Sequence, residues 1–179
     1  MTAELTGLLA LMILSVLLLL ATREDMRSHR IPNRLVLAGV VLGLALNGLL
    51  PGGLGWLAAL KGLALGLAVL LPIYLLRAMG AGDVKLMGMV GAFLGAGDLI
   101  GALIATLIAG GVMALVAALW SRQFLNLLLN IRGMLLGGLL RMSTGRPPLM
   151  NDMPLSVGQL PYAVAITTGT LGYLVWQRM

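Results

Sequence analysis

Cysteine is absent from this chain of 179 residues, and histidine occurs once, as His29. Without thiols there is no disulfide, iron–sulfur cluster or thiolate zinc site, and one histidine cannot build a multi-histidine metal centre. Neither a metal nor a cofactor is therefore expected. Charge is scarce as well: 10% of the residues are charged, and only six are acidic. Any catalysis must rest on very few polar groups. What fills the sequence is apolar, at 60% hydrophobic residues with a mean hydropathy of +1.03. That is more apolar surface than one small globular core can hide, so lipid has to be the main solvent. The chain reads as an integral membrane protein.

Twelve Lys and Arg against six Asp and Glu give a formal charge of +6. Such a balance can signal a nucleic-acid partner, but ten of the twelve cations are Arg and they cluster at the ends of apolar runs. A polynucleotide-binding face is not expected. The cations instead set orientation. With the N-terminus outside, ten of the twelve fall in three inner loops: Arg23, Arg27, Arg30 and Arg34; then Arg77 and Lys85; then Arg122, Arg132, Arg141 and Arg146. Lys61 and Arg178 alone face outward, and both termini are expected outside.

The fold class expected is all-α: a polytopic bundle of about six transmembrane helices forming one domain over residues 1–179. The spans fall at about 5–21, 35–50, 56–76, 84–97, 99–120 and 160–176, separated by breaks such as Pro51-Gly52-Gly53. The first run carries Glu4 and no cation ahead of it and no Ala-x-Ala at its end, so it reads as a retained helix rather than a secretory signal. The run from Val84 to Leu94 is short for a hydrocarbon core of about 30 Å, hence its extension through Gly95–Gly97. Between residues 121 and 141, Arg122, Asn126, Asn130, Gly133, Gly137 and Arg141 recur every three or four positions opposite Leu and Ile. An amphipathic helix in the headgroup plane is expected there, with a looser connector through Arg146 and Asp152. The pairs Gly39/Gly43, Gly62/Gly66, Gly91/Gly95 and Gly97/Gly101 have the spacing that lets helix backbones approach closely.

The carboxylates can be weighed one by one. Glu4, Asp98 and Asp152 sit in positions where a solvated loop or a helix cap accounts for them. Glu24 and Asp25 stand together at the inner end of the first span. Asp83 lies in Gly80-Ala81-Gly82-Asp83-Val84-Lys85, ahead of the fourth. The first helix enters the inner face and the fourth leaves it, so Asp25 and Asp83 share a membrane depth if those helices are neighbours. Two carboxyls in one site cannot both ionise cheaply. One then holds a proton and polarises a peptide carbonyl while the other deprotonates water, which is aspartyl protease chemistry. Gly80 and Gly82 leave the backbone free to bend and a substrate strand free to approach.

Asp25-Met26-Arg27-Ser28-His29-Arg30-Ile31-Pro32-Asn33, followed by Gly80-Ala81-Gly82-Asp83, resembles the type IV prepilin peptidase family, whose members carry D-x-R-x-x-x-I-P-N and G-x-G-D in corresponding loops. The later Leu160-Pro161-Tyr162-Ala163 also resembles a family segment opening the last helix. The resemblance implies a membrane aspartyl endopeptidase that removes the basic leader of prepilins or pseudopilins at the cytoplasmic face of a bacterial inner membrane. Asp25 and Asp83 would be its catalytic pair. Arg27, Gly80, Gly82, Lys85 and Pro161 would support the site or line the groove for the substrate helix. Arg27 is also explained by lipid phosphate, Lys85 by orientation alone, and Glu24 competes with Asp25 for its role. Ile31-Pro32-Asn33 reads as a turn, with Asn33 capping the second helix. Larger family members insert a Cys-x-x-Cys segment between the first two helices and N-methylate the product. Here that loop is about a dozen residues without cysteine, which resembles the small, peptidase-only enzymes of tight-adherence (Flp-type) pilus systems.

Two readings of other classes stay open at the level of sequence. A small transporter or channel subunit would use Asp25, Asp83 and Lys61 as ion sites, and expects ionisable groups near mid-membrane. A scaffold for a pilus or secretion machine would dock through residues 121–141. The oligomeric state is not encoded in any of these features.

Overall fold

The computed structural model describes residues 3–75, 79–120 and 161–179. The amphipathic segment expected at 121–141, the connector after it and Arg77 lie outside the described residues. Five helices follow one another: α1 (Ala3–Ser28), α2 (Asn33–Leu49), α3 (Trp56–Leu75), α4 (Ala81–Trp120) and α5 (Tyr162–Trp176). No strand occurs among the described residues. Two compact units are present, Met1–Gly110 with Pro161–Met179, and Gly111–Leu160. Every candidate site residue belongs to the first, and of the second only the end of α4, as far as Trp120, is described.

Three helices are long and apolar enough to cross a membrane: Glu4–Ser28 of α1, all of α3, and Ala81–Ala117 of α4. α2 is apolar but shorter, and α5 has 15 residues. Six separate spans are thus not established by length and composition. α1 shows how such a helix divides its surface. Leu14, Leu18, Ala21 and Asp25 are buried at helical spacing, while Met12, Val16 and Leu19 are exposed on another face, as expected where one face meets protein and the other lipid.

α4 has 40 residues, about twice the length that spans a hydrocarbon core, and it doubles back. Gly95 has φ 71° and ψ 177°, a backbone region that essentially only glycine enters. The neighbours on either side run in opposite order. Before the break, Gly39 abuts Met89 and Gly43 abuts Phe93, so residues 81–94 run parallel to α2. After it, Gly101 abuts Tyr173, Gly169 abuts Thr106 and Gly110 abuts Tyr162, so the returning half is antiparallel to α5. The expected runs 84–97 and 99–120 therefore meet at one residue rather than through a Gly-rich loop. Asp98 lies inside the helix, its Oδ1 accepting from Tyr173 Oη (3.3 Å) and Gln177 Nε2 (2.9 Å).

Breaking a helix frees carbonyls on its N-terminal side. Asn47 of α2 is buried at this point, and its Nδ2 donates to the carbonyls of Ala92 (2.9 Å) and Phe93 (3.0 Å). Its Oδ1 accepts the Leu54 N–H at 3.2 Å, so one side chain closes both the end of a half-helix and the turn into α3. Residues 86–95 are buried without exception. This half-helix is the centre of the bundle, and it can be short because protein rather than lipid surrounds it. Close approach makes that possible. Gly62 of α3 and Gly91 face each other so tightly that a methyl group on either would strike the other's backbone. Gly97 meets nothing, so its pairing with Gly101 is not a packing contact.

Candidate active site

Asp25 extends the buried stripe of α1 by one more turn and is only 7% exposed. Its partner comes from the far end of the sequence: the N–H of Ala163 donates to Asp25 Oδ2 at 3.1 Å. The reason is local. The first N–H groups of a helix have no intrahelical acceptor, and Pro161, which precedes α5, contributes no side-chain cap. Asp25 supplies that cap from another helix, at the end where the helix dipole favours negative charge. One turn later α1 stops, with the His29 N–H on the Asp25 carbonyl at 2.8 Å and His29 at φ 49°.

Asp83 is the third residue of α4, 8% exposed, and its Oδ2 accepts the Gly80 N–H at 3.2 Å. The Asp83 N–H returns a bond to the Gly80 carbonyl at 3.2 Å. The carboxylate thus reaches back to the residue before the helix, half of a reciprocal cap. Gly82 lies on Ile31, whose Cβ is 3.3 Å from where a Gly82 methyl group would sit. The short α1–α2 connection, His29–Pro32, thereby rests on the start of α4 and brings the Asp25 and Asp83 ends together. The two carboxylates are within electrostatic reach of each other, and Asp83 is also within reach of the Tyr162 phenol.

The remaining sequence candidates fall around this pair in different ways. Gly80 is exposed and Gly82 half-buried beside Asp83, and Pro161 is half-buried immediately before Tyr162. Lys85 is exposed, and its Nζ donates to Asn33 Oδ1 at 3.0 Å. This corrects the expectation for Asn33. The residue before α2 is Pro32, no side chain caps that helix, and the Asn33 amide is turned to Lys85 instead. Arg27 and His29 are exposed, and Glu24 is half-buried. Asp25, Asp83, Gly80, Gly82 and the Pro161 segment gather at one end of the bundle, and both carboxylates are buried there. Among the described residues no three His, Asp or Glu side chains converge as a metal site would require.

Four residues of the site escape sequence reading. Ala163 acts through its backbone N–H, which no residue type announces. Tyr162 stood in the segment singled out for Pro161 but was given no role. Thr22 and Thr167, whose hydroxyls lie 2.7 Å apart one turn from Asp25, are isolated polar residues in apolar runs, and that isolation was the available signal.

A model of the type IV leader peptidase family matches residues 12–115, a stretch that contains both Asp25 and Asp83. No curated protein and no solved structure matches the chain.

Proposed function

Since the chain belongs to the type IV leader peptidase family, and is thereby a membrane peptidase, we propose that it is an aspartic endopeptidase in which Asp25 and Asp83 form the catalytic pair. The observation carrying this reading is that the two carboxylates, 58 residues apart in sequence, are both buried at one end of the bundle, where the connection that follows α1 lies against Gly82, the neighbour of Asp83. One carboxyl, ionised, takes a proton from water as the oxygen attacks the scissile carbonyl. The other, protonated, gives its proton to the carbonyl oxygen. On collapse one carboxyl gives its proton to the departing amide nitrogen, the other carboxylate takes a proton back from a diol hydroxyl, and the C–N bond breaks, so the pair ends with one proton as it began.

The substrate class proposed is a prepilin or pseudopilin, Flp-type in particular, cut at the cytoplasmic face of a bacterial inner membrane. Such a substrate presents a basic leader joined to an apolar helix in the bilayer. The exposed Gly80, which has no side chain of its own, offers an approach to Asp83, whereas Gly82 is covered by Ile31. The absence of N-methyltransferase activity is proposed from the four-residue connection between α1 and α2, which leaves no place for the inserted segment of the larger enzymes. Arg23, Arg27, Arg30 and Arg34, exposed around that connection, favour its placement on the anionic cytoplasmic leaflet.

The test is co-expression with an Flp-type prepilin, following leader removal by gel shift for wild type, Asp25→Asn and Asp83→Asn at matched membrane levels. Loss of cleavage in both variants is expected. Survival of cleavage in either removes that aspartate from the mechanism.

A further inference from the structure

Ala163 meets α1 through both of its backbone polar groups. Its N–H is on Asp25 Oδ2 at 3.1 Å, and its carbonyl accepts from Thr22 Oγ1 at 3.3 Å. Thr22 lies three residues before Asp25, on the same side of α1. Its hydroxyl is also 2.7 Å from that of Thr167, one turn further along α5, and Thr167 Oγ1 donates to the Leu18 carbonyl at 3.2 Å. Each hydroxyl has a single proton. Two arrangements use both and make the 2.7 Å contact a hydrogen bond: Thr22 to Thr167 and Thr167 to Leu18, or Thr167 to Thr22 and Thr22 to Ala163. Both tie α5 to α1 in one register.

That register decides whether the Ala163 N–H lies on the Asp25 carboxylate. The other residues buried on these two helices are mostly apolar, among them Leu14 and Ala21 on α1 and Ala165 and Ile166 on α5. Apolar packing tolerates sliding, since dispersion contacts have little directionality, whereas a hydroxyl pair between helices in lipid fixes one translation. Thr167 is 4% exposed and Thr22 half-buried, so water does not readily replace the pair. The other buried hydroxyls of this region, Thr106 and Thr170, have no hydrogen-bond partner and fix nothing in this way.

We propose that Thr22 and Thr167 are positioning residues: their hydroxyl pair sets the register of α5 against α1 and so holds the Ala163 N–H on Asp25, orienting that carboxylate for catalysis. The inference rests on Asp25 being one of the catalytic pair. Neither threonine touches substrate. A carboxylate left without this N–H turns about its own side-chain bonds and spends less time aimed at the peptide bond, which lowers kcat and leaves substrate binding alone.

The experiment compares wild type with Thr22→Val, Thr167→Val, Thr22→Ser and Thr167→Ser in detergent micelles, with an Flp-type prepilin as substrate. Two quantities are read: kcat against KM, and hydrogen exchange at the Ala163 amide, which needs no substrate. Asp25→Ala serves as the exchange reference, because it removes the acceptor outright. Both valine variants should lower kcat by about three- to tenfold with KM unchanged, and speed Ala163 exchange by a similar factor. The serine variants, which keep the hydroxyl, should restore both. The proposal is overturned if the valine variants exchange Ala163 like wild type, if serine fails as valine does, or if KM rises while kcat holds. Should wild type leave the prepilin uncut, the proposed Flp-type substrate fails. The exchange measurement then still decides whether the threonine pair holds Ala163 on Asp25.

Discussion

Asn47 reaches from α2 to the carbonyl of Phe93, 3.0 Å away, where α4 turns back on itself. With Ala92 and Leu54 as its other partners, it uses two donors and one acceptor in a site only 7% exposed. Asn47→Leu keeps the branching and number of side-chain heavy atoms and removes all three bonds, stranding two buried carbonyls and one N–H. A loss of about 2–4 kcal/mol in stability is expected from the uncompensated polar groups. Thermal unfolding in detergent checks it, and a midpoint like that of wild type would show that the half-helix end does not depend on this amide.

Gly95 is a sharper test of the same turn. At φ 71° and ψ 177° it lies outside even the left-handed helical region that Asn tolerates, so Gly95→Ala and Gly95→Asn should both destabilise, by about 1–3 kcal/mol. The equality is the diagnostic outcome. An Asn variant behaving like wild type would mean that the residue is ordinary left-handed backbone instead.

Much of this architecture was legible because lipid imposes a plain pattern: runs of apolar residues, cations at their ends, and few polar groups left to explain. Asp25 and Asp83 stood out for that reason, and Gly80 and Gly82 beside them. What could not be read depends on backbone atoms and on single-residue geometry. A reversal confined to Gly95 looks in sequence like any Gly-x-Gly stretch. The cap on Asp25 is an alanine N–H, and Ala163 has no side chain to mark it. Asn33 has a residue type suited to capping, yet tertiary contact with Lys85, 52 positions away, takes its side chain oxygen. The Asn47 amide sat in an apolar run with no sequence neighbour to suggest that its partners were on α4.

Lys85 follows Asp83 by two residues, and the choice between a role on that carboxylate and a role in orientation turns on where its ammonium goes. It is exposed and donates to Asn33 Oδ1 at 3.0 Å. An exposed bond of this kind contributes little. Lys85→Met should therefore leave kcat/KM within about threefold of wild type, and Asn33→Ala should resemble it. A loss of about a hundredfold or more in Lys85→Met alone would place the ammonium in the chemistry.

The choice of substitution decides how cleanly the aspartates can be tested. Asp25 and Asp83 each accept a backbone N–H, from Ala163 and Gly80, so alanine would remove a helix cap as well as a carboxyl and confuse folding with catalysis. Asparagine keeps an acceptor oxygen at nearly the same place. Asp25→Asn and Asp83→Asn should unfold at temperatures close to wild type and yet lose at least about a thousandfold in cleavage rate, the scale expected for deleting a group that acts in the reaction itself. Glu24→Gln, one residue from Asp25 on α1 but outside its buried stripe, is the matched control and should cleave normally. If Asp25→Asn retained activity and Glu24→Gln abolished it, the pair would have to be redrawn around Glu24. If Asp25→Asn and Asp83→Asn lost activity only in proportion to a fall in melting temperature, both carboxylates would be structural caps and nothing more.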